Sequence, residues 1–96
     1  MIRHIVMFNW KSDVPADISS QVRDGFNHMR DVIPEVVSMK CGPDRGLAEG
    51  NFDYAMVADF NSVDDWQTYR DHPEHIAFFQ RFGQFAAGAT RVQIEV

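Results

Sequence analysis

Ile2-Arg3-His4-Ile5-Val6-Met7-Phe8-Asn9-Trp10 alternates along its whole length. One face reads Ile2, His4, Val6, Phe8 and Trp10, and the other reads Arg3, Ile5, Met7 and Asn9. A period of two predicts a strand, and apolar residues on both faces predict a strand covered on both sides. Working outward, Ser12-Asp13-Val14-Pro15 predicts a helix start with Pro in the first turn. Ile18, Val22, Phe26, Met29 and Ile33 then recur every three or four residues, forming one apolar stripe on a helix that must stop near Pro34. Glu35 to Cys41 reads as a second strand, and Gly42 to Asn51 as a loop by composition.

Phe52, Tyr54, Met56, Ala58 and Phe60 alternate with Asp53, Ala55, Val57 and Asp59, which predicts a third strand. Ser62-Val63-Asp64-Asp65 resembles a capping box and opens a short helix through Trp66 and Tyr69. That helix breaks at His72 and restarts at Pro73, with His75, Phe79, Phe82 and Ala86 on one face. Gly83 and Gly88 loosen its end, and Thr90 to Val96 reads as the final strand. The order β-α-β-β-α-β is the split βαβ arrangement of a ferredoxin-like α+β fold, here one domain over residues 1–96. Helices on one side of a four-stranded sheet leave the other side bare. That side would carry Ile5, Met7, Ala55 and Val57, so the expected partner is a second copy of the chain, sheet against sheet, in a dimeric α+β barrel.

The bulk numbers agree with a small globular core. The chain has 96 residues, 45% of them hydrophobic, with eight Phe and two Trp. A core this small is marginal unless a partner covers more of it. Nine basic against fourteen acidic residues give a net charge of -5. No basic stripe stands out for nucleic acid. No run approaches the ~18 apolar residues of a membrane span. The opening apolar run is too short for a signal peptide and has no small-residue cleavage site. Cys41 stands alone, which fits a reducing cytoplasm, and it reads as a small hydrophobe on a strand.

The residues that could carry chemistry gather in Tyr69-Arg70-Asp71-His72-Pro73-Glu74-His75. If the Ile2/His4/Val6 face of the first strand looks toward the helices, His4, His75 and the Tyr69 phenol can meet between helices and sheet. A desolvated imidazole stays neutral and can act as a base near pH 7. A phenol can donate to a carbonyl or enolate oxygen. The competing reading is that each His satisfies a backbone carbonyl in the core. Phe26, Met29, Trp66, Phe79 and Phe82, with His72, form the expected ligand-contacting set, although His72 also reads as the cap before Pro73. His72 and His75 have metal-ligand spacing, but Pro73 breaks the geometry and no third ligand is near, so neither a metal nor a cofactor is expected. His28 lies off the apolar stripe and should be solvated. The Gly42–Asn51 loop has no phosphate-binding glycine pattern and reads as a mobile connection, with a lid as one role.

These residues resemble the stress-responsive A/B barrel (Dabb) family over nearly the whole chain. The resemblance rests on His4-Ile5-Val6-Met7-Phe8 with Lys11, on Ile33-Pro34-Glu35-Val36-Val37-Ser38, on Gly42, on the Tyr54–Phe60 strand, and most specifically on Tyr69-x-x-His72-Pro73-x-His75. It implies a dimeric barrel fold, while activities in the family are scattered. One type is a plant polyketide cyclase (olivetolic acid type), which needs no cofactor and closes a linear poly-β-ketone by aldol condensation. By that resemblance His75 would be the base, Tyr69 its assistant, and His4 a neighbour in the same cavity. The chain departs from that type at Phe26, where the cyclase has Tyr, and at Glu74, which replaces a smaller residue and would add charge at the pocket rim. The leading expectation is a cofactor-independent cyclase or lyase acting on a small hydrophobic carbonyl compound. The alternatives are a non-catalytic, stress-responsive dimer binding a small hydrophobic ligand, and a cofactor-free monooxygenase.

Overall fold

The computed structural model describes residues Met1–Val96. Its elements are β1 (Ile2–Trp10), α1 (Ile18–Val32), β2 (Ser38–Pro43), β3 (Tyr54–Phe60), α2 (Val63–Asp71), α3 (Pro73–Phe82), a short 3-10 turn (Gly83–Phe85) and β4 (Ala86–Glu95). The four strands form one sheet in the order β2-β3-β1-β4, with every neighbouring pair antiparallel. β3 lies between β1 and β2, and β1 lies between β3 and β4, so each βαβ unit is split by a strand of the other. The fold is therefore α+β and ferredoxin-like, as expected. No helix is long and apolar enough to cross a membrane.

Register decides which face each side chain occupies, because directly paired residues share a face. His4 pairs with Ala58 on β3 and Gln93 on β4, while Val6 pairs with Met56 and Arg91. Met56 and Ala58 are buried, so this is the side the helices cover. Ile18, Val22, Phe26 and Met29 of α1 press onto it, and Tyr69 of α2 and Phe82 of α3 complete the core. The opposite side carries Ile5, Met7, Ala55, Val57, Val92 and Ile94, with Arg3 bound to Asp59 through two hydrogen bonds of 2.9 and 3.0 Å. No helix covers this side: Val92 and Ile94 remain 48% and 43% exposed.

Several boundaries differ from the sequence reading. α1 begins at Ile18, not beside Pro15: residues 11–17 form turns that carry the chain from the end of β1 to the helix, with Lys11 N–H held by the Phe85 carbonyl and Ile18 N–H by the Pro15 carbonyl. β2 is shifted toward the C-terminus, because Val36 N–H closes a turn on the Ile33 carbonyl and Pro43 still pairs with Tyr54. A proline is tolerated there because β2 is an edge strand. β3 starts at Tyr54 rather than Phe52. β4 starts at Ala86, which pairs with Trp10 and so belongs to the strand rather than to the face of α3 that carries His75, Phe79 and Phe82. Between Gly88 opposite Asn9 and Ala86 opposite Trp10 the register skips Ala87, a bulge that sequence alternation cannot signal.

Candidate functional site

The break between α2 and α3 positions the site. His72 has φ -67° and ψ 137°, the extended conformation imposed on a residue before proline. Its Nδ1 accepts the Glu74 N–H at 3.1 Å, so the ring caps α3 while Pro73 occupies the first turn. His75, one turn into the new helix, then sits 4.7 Å from Tyr69, ring centre to ring centre. From β1, His4 comes within 6.0 Å of Tyr69 and 6.1 Å of Trp66.

These rings wall a cavity of about 570 Å³, lined by twenty residues of which thirteen are hydrophobic. The volume is in the range of small-molecule sites. His4, Tyr69, His75, Phe26, Trp66, Phe79 and Phe82 all border it. Phe26 packs 4.5 Å from Phe78, and Phe79 is 53% exposed at the rim. Met29 does not reach the cavity: at 1% exposure it is consumed by the core under α1. His72 does not reach it either, because its ring is turned away into the cap and a shallow polar hollow with Asp64 and Asp71. Glu74 is not at the rim, since it reaches across to His28 of α1 at 3.1 Å. No residue of the 44–53 connection borders the cavity, and its Asp44 is occupied with Gly46 N–H and Asn51. No three His, Cys, Asp or Glu residues converge on a point that could hold a metal ion.

The cavity also holds residues the sequence reading passed over, chiefly Arg91 and Gln93 on β4 and Arg70 on α2. The Gln93 amide nitrogen stands 2.9 Å from His4 Nδ1. An amide nitrogen only donates, so His4 Nδ1 accepts and the ring proton of neutral His4 lies on Nε2. Burial, then the nearby His75 and Arg91, lower the His4 pKa to about 4. Burial also lowers that of His75; Arg91 helps, while the Arg70 backbone carbonyl and Asp71 pull the other way. Both imidazoles are therefore neutral at pH 7. Burial raises the Tyr69 pKa, so the phenol keeps its proton. Two neutral imidazoles and a protonated phenol around an apolar space can accept one proton and donate two hydrogen bonds.

An α+β ferredoxin-like domain with its cavity between helices and sheet is the class this geometry defines. The chain belongs to the stress-responsive A/B barrel domain family, whose model matches residues 2–96. It is similar to a dimeric ferredoxin-like protein of unknown function from Thermobifida fusca, at 37% identity and TM-score 0.91, covering 99% of this chain and 90% of that one. The fold is shared with a hydroxynitrile lyase from Passiflora edulis, at 22% identity and TM-score 0.88, covering 99% and 92%. It is shared too with SnoaB, a cofactor-independent oxygenase from Streptomyces nogalater, at 12% identity and TM-score 0.77, covering 99% and 91%. No curated protein matches the sequence.

Proposed function

We propose that this protein is a homodimeric, cofactor-independent enzyme of the cyclase or lyase kind, which abstracts a proton next to the carbonyl of a small hydrophobic compound, with His75 as general base. The observation that carries this reading is the meeting of neutral His75, Tyr69 and His4 at one end of an apolar cavity. A neutral imidazole carries a lone pair on one ring nitrogen, and His75 offers it to the cavity. That nitrogen takes the α-proton, and the carbonyl oxygen, becoming an enolate, is held by His4 Nε2–H and by the Tyr69 hydroxyl. Phe26, Trp66, Phe79 and Phe82 hold the apolar body of the ligand and keep water out. The lyase with this fold supports the class of chemistry, and the oxygenase shows that the fold also serves reactions without a cofactor. A dimer is supported by the apolar outer side of the sheet and by the dimeric relative from Thermobifida fusca.

α-Proton exchange tests the reading without knowledge of the substrate. In D₂O at pH 7 the protein should accelerate deuterium uptake at the methylene of an alkyl aryl ketone, followed by NMR. His75→Ala should lose about 10²–10⁴ of that rate with ketone affinity retained, and Tyr69→Phe should lose less. If the ketone binds but exchanges no faster than in buffer, the cavity is a ligand-binding site and the base assignment is wrong. Oxygen uptake on an electron-rich phenol, lost under nitrogen, would point to oxygenase chemistry instead.

A further inference from the structure

We infer that the ligand of this cavity is an amphipathic carboxylate, and that the Arg91 guanidinium on β4 receives its charged end. The chain has fourteen acidic residues and a net charge of -5, yet not one Asp or Glu lines the cavity, whereas Arg70 and Arg91 both do. The two arginines are not equivalent. Arg70 is engaged already, 3.2 Å from the Asp71 carboxylate and 5.1 Å above the Trp66 ring. Arg91 has no ion pair and no side-chain hydrogen bond; Arg23, Arg45 and Arg81 have no ion pair either, but none of them lines the cavity.

Its placement is set by register. Arg91 pairs with Val6 and stands two residues from Gln93, the partner of His4, so its side chain leaves β4 on the side facing the helices. Arg91 lines the same cavity as His4 and His75, and its charge works against protonation of both rings. A lone guanidinium beside two neutral imidazoles and a largely apolar wall lacks an anion, and a planar fork matches a carboxylate through two parallel hydrogen bonds. Arg91 is exposed, so salt screens such a pair, and it is strongest at low ionic strength. The apolar end of the same ligand would lie on Phe26, Phe78 and Phe82. This inference takes from the proposed function only that the cavity holds a ligand; it does not depend on His75 acting as a base.

Three probes of one shape test it: 4-phenylbutanoate, 4-phenylbutan-1-ol and 4-phenylbutan-2-one, with binding read by calorimetry and by the fluorescence of Trp10 and Trp66, which line the cavity. At low ionic strength the carboxylate should bind about tenfold more tightly than the alcohol, as one charge-assisted pair provides. Arg91→Gln should remove that preference and leave alcohol affinity within about twofold, while Arg91→Lys should keep part of it. Arg70→Gln should retain the preference. If the alcohol and ketone bind and the carboxylate binds no better, the inference fails while the proposed reaction stands. A preference that survives Arg91→Gln overturns it too, since the charge would then be held elsewhere. Should none of the three bind, the inference falls together with the cavity as a ligand site.

Discussion

At the scale of single residues, His4 shows how a neighbour decides what a ring can do. Its pairing with Gln93 places the proton on Nε2, and burial keeps the ring neutral down to about pH 4. This couples the site to stability. An unfolded His takes up its proton near pH 6.5. Between pH 6.5 and about 4 the unfolded chain therefore binds more protons than the native one, and stability falls as pH falls through that window. His75, also lowered, contributes with the same sign. We expect the urea midpoint to drop steadily from pH 7 to 4.5, and His4→Gln to flatten part of that slope. A midpoint constant across the window would mean that His4 titrates like an exposed ring. His4, Tyr69 and His75 were legible in the sequence because strand phase and the proline break both aim them inward. Arg91 and Gln93 were not. Along β4, Thr90, Val92 and Ile94 alternate with Arg91 and Gln93, and ordinary reasoning turns the apolar set toward the helices. Here the apolar set faces away, and the polar set borders the cavity.

At the scale of elements, helix stripes and strand alternation were readable, whereas boundaries that depend on tertiary hydrogen bonds were not. The late start of α1 and the early start of β4 are set by contacts such as Lys11 N–H to the Phe85 carbonyl. Close approach of helices is similarly invisible in periodicity. Gly25 lies on α1 where a Cβ would meet ring carbons of Phe78 and Phe82 at 2.8 Å. Both rings line the cavity, so the missing side chain at Gly25 sets how far they sit from it. Gly25→Ala gains up to ~1 kcal/mol of helix propensity but overpacks this contact, which costs ~1–3 kcal/mol. The net expectation is a loss of up to ~2 kcal/mol in urea denaturation, with weaker binding of 4-phenylbutan-2-one as Phe78 is pushed inward. A variant as stable as the parent, with unchanged affinity, would show that the rings yield freely and that α1 does not control the cavity.

At the scale of the whole molecule, the outer side of the sheet is the feature a lone chain cannot account for. Ile5, Met7, Ala55, Val57, Val92 and Ile94 lie side by side across three strands, and no element of the chain covers them. A contiguous apolar surface of this kind marks an interface. The Arg3–Asp59 pair lies on the same side, with Ser38 Oγ 3.4 Å from the carboxylate, so its charges are already matched and would not oppose burial. The inverted alternation of β4 has the same origin: its apolar residues turn outward because a second sheet, rather than the helices, is what they would meet. In solution the protein should therefore have twice the 11.0 kDa mass of one chain by light scattering at micromolar concentration. Val57→Asp should shift it toward a single chain, since a carboxylate buried in an apolar interface has lost its water. Lys40 stands opposite Val57 and could neutralise that charge, whereas Val92 faces Ile5. Val92→Asp is thus the stricter variant and should dissociate the dimer more completely, with helix content by circular dichroism retained in both. A wild-type protein of single-chain mass, or dimers that survive both substitutions, would mean that two copies do not meet through this side of the sheet.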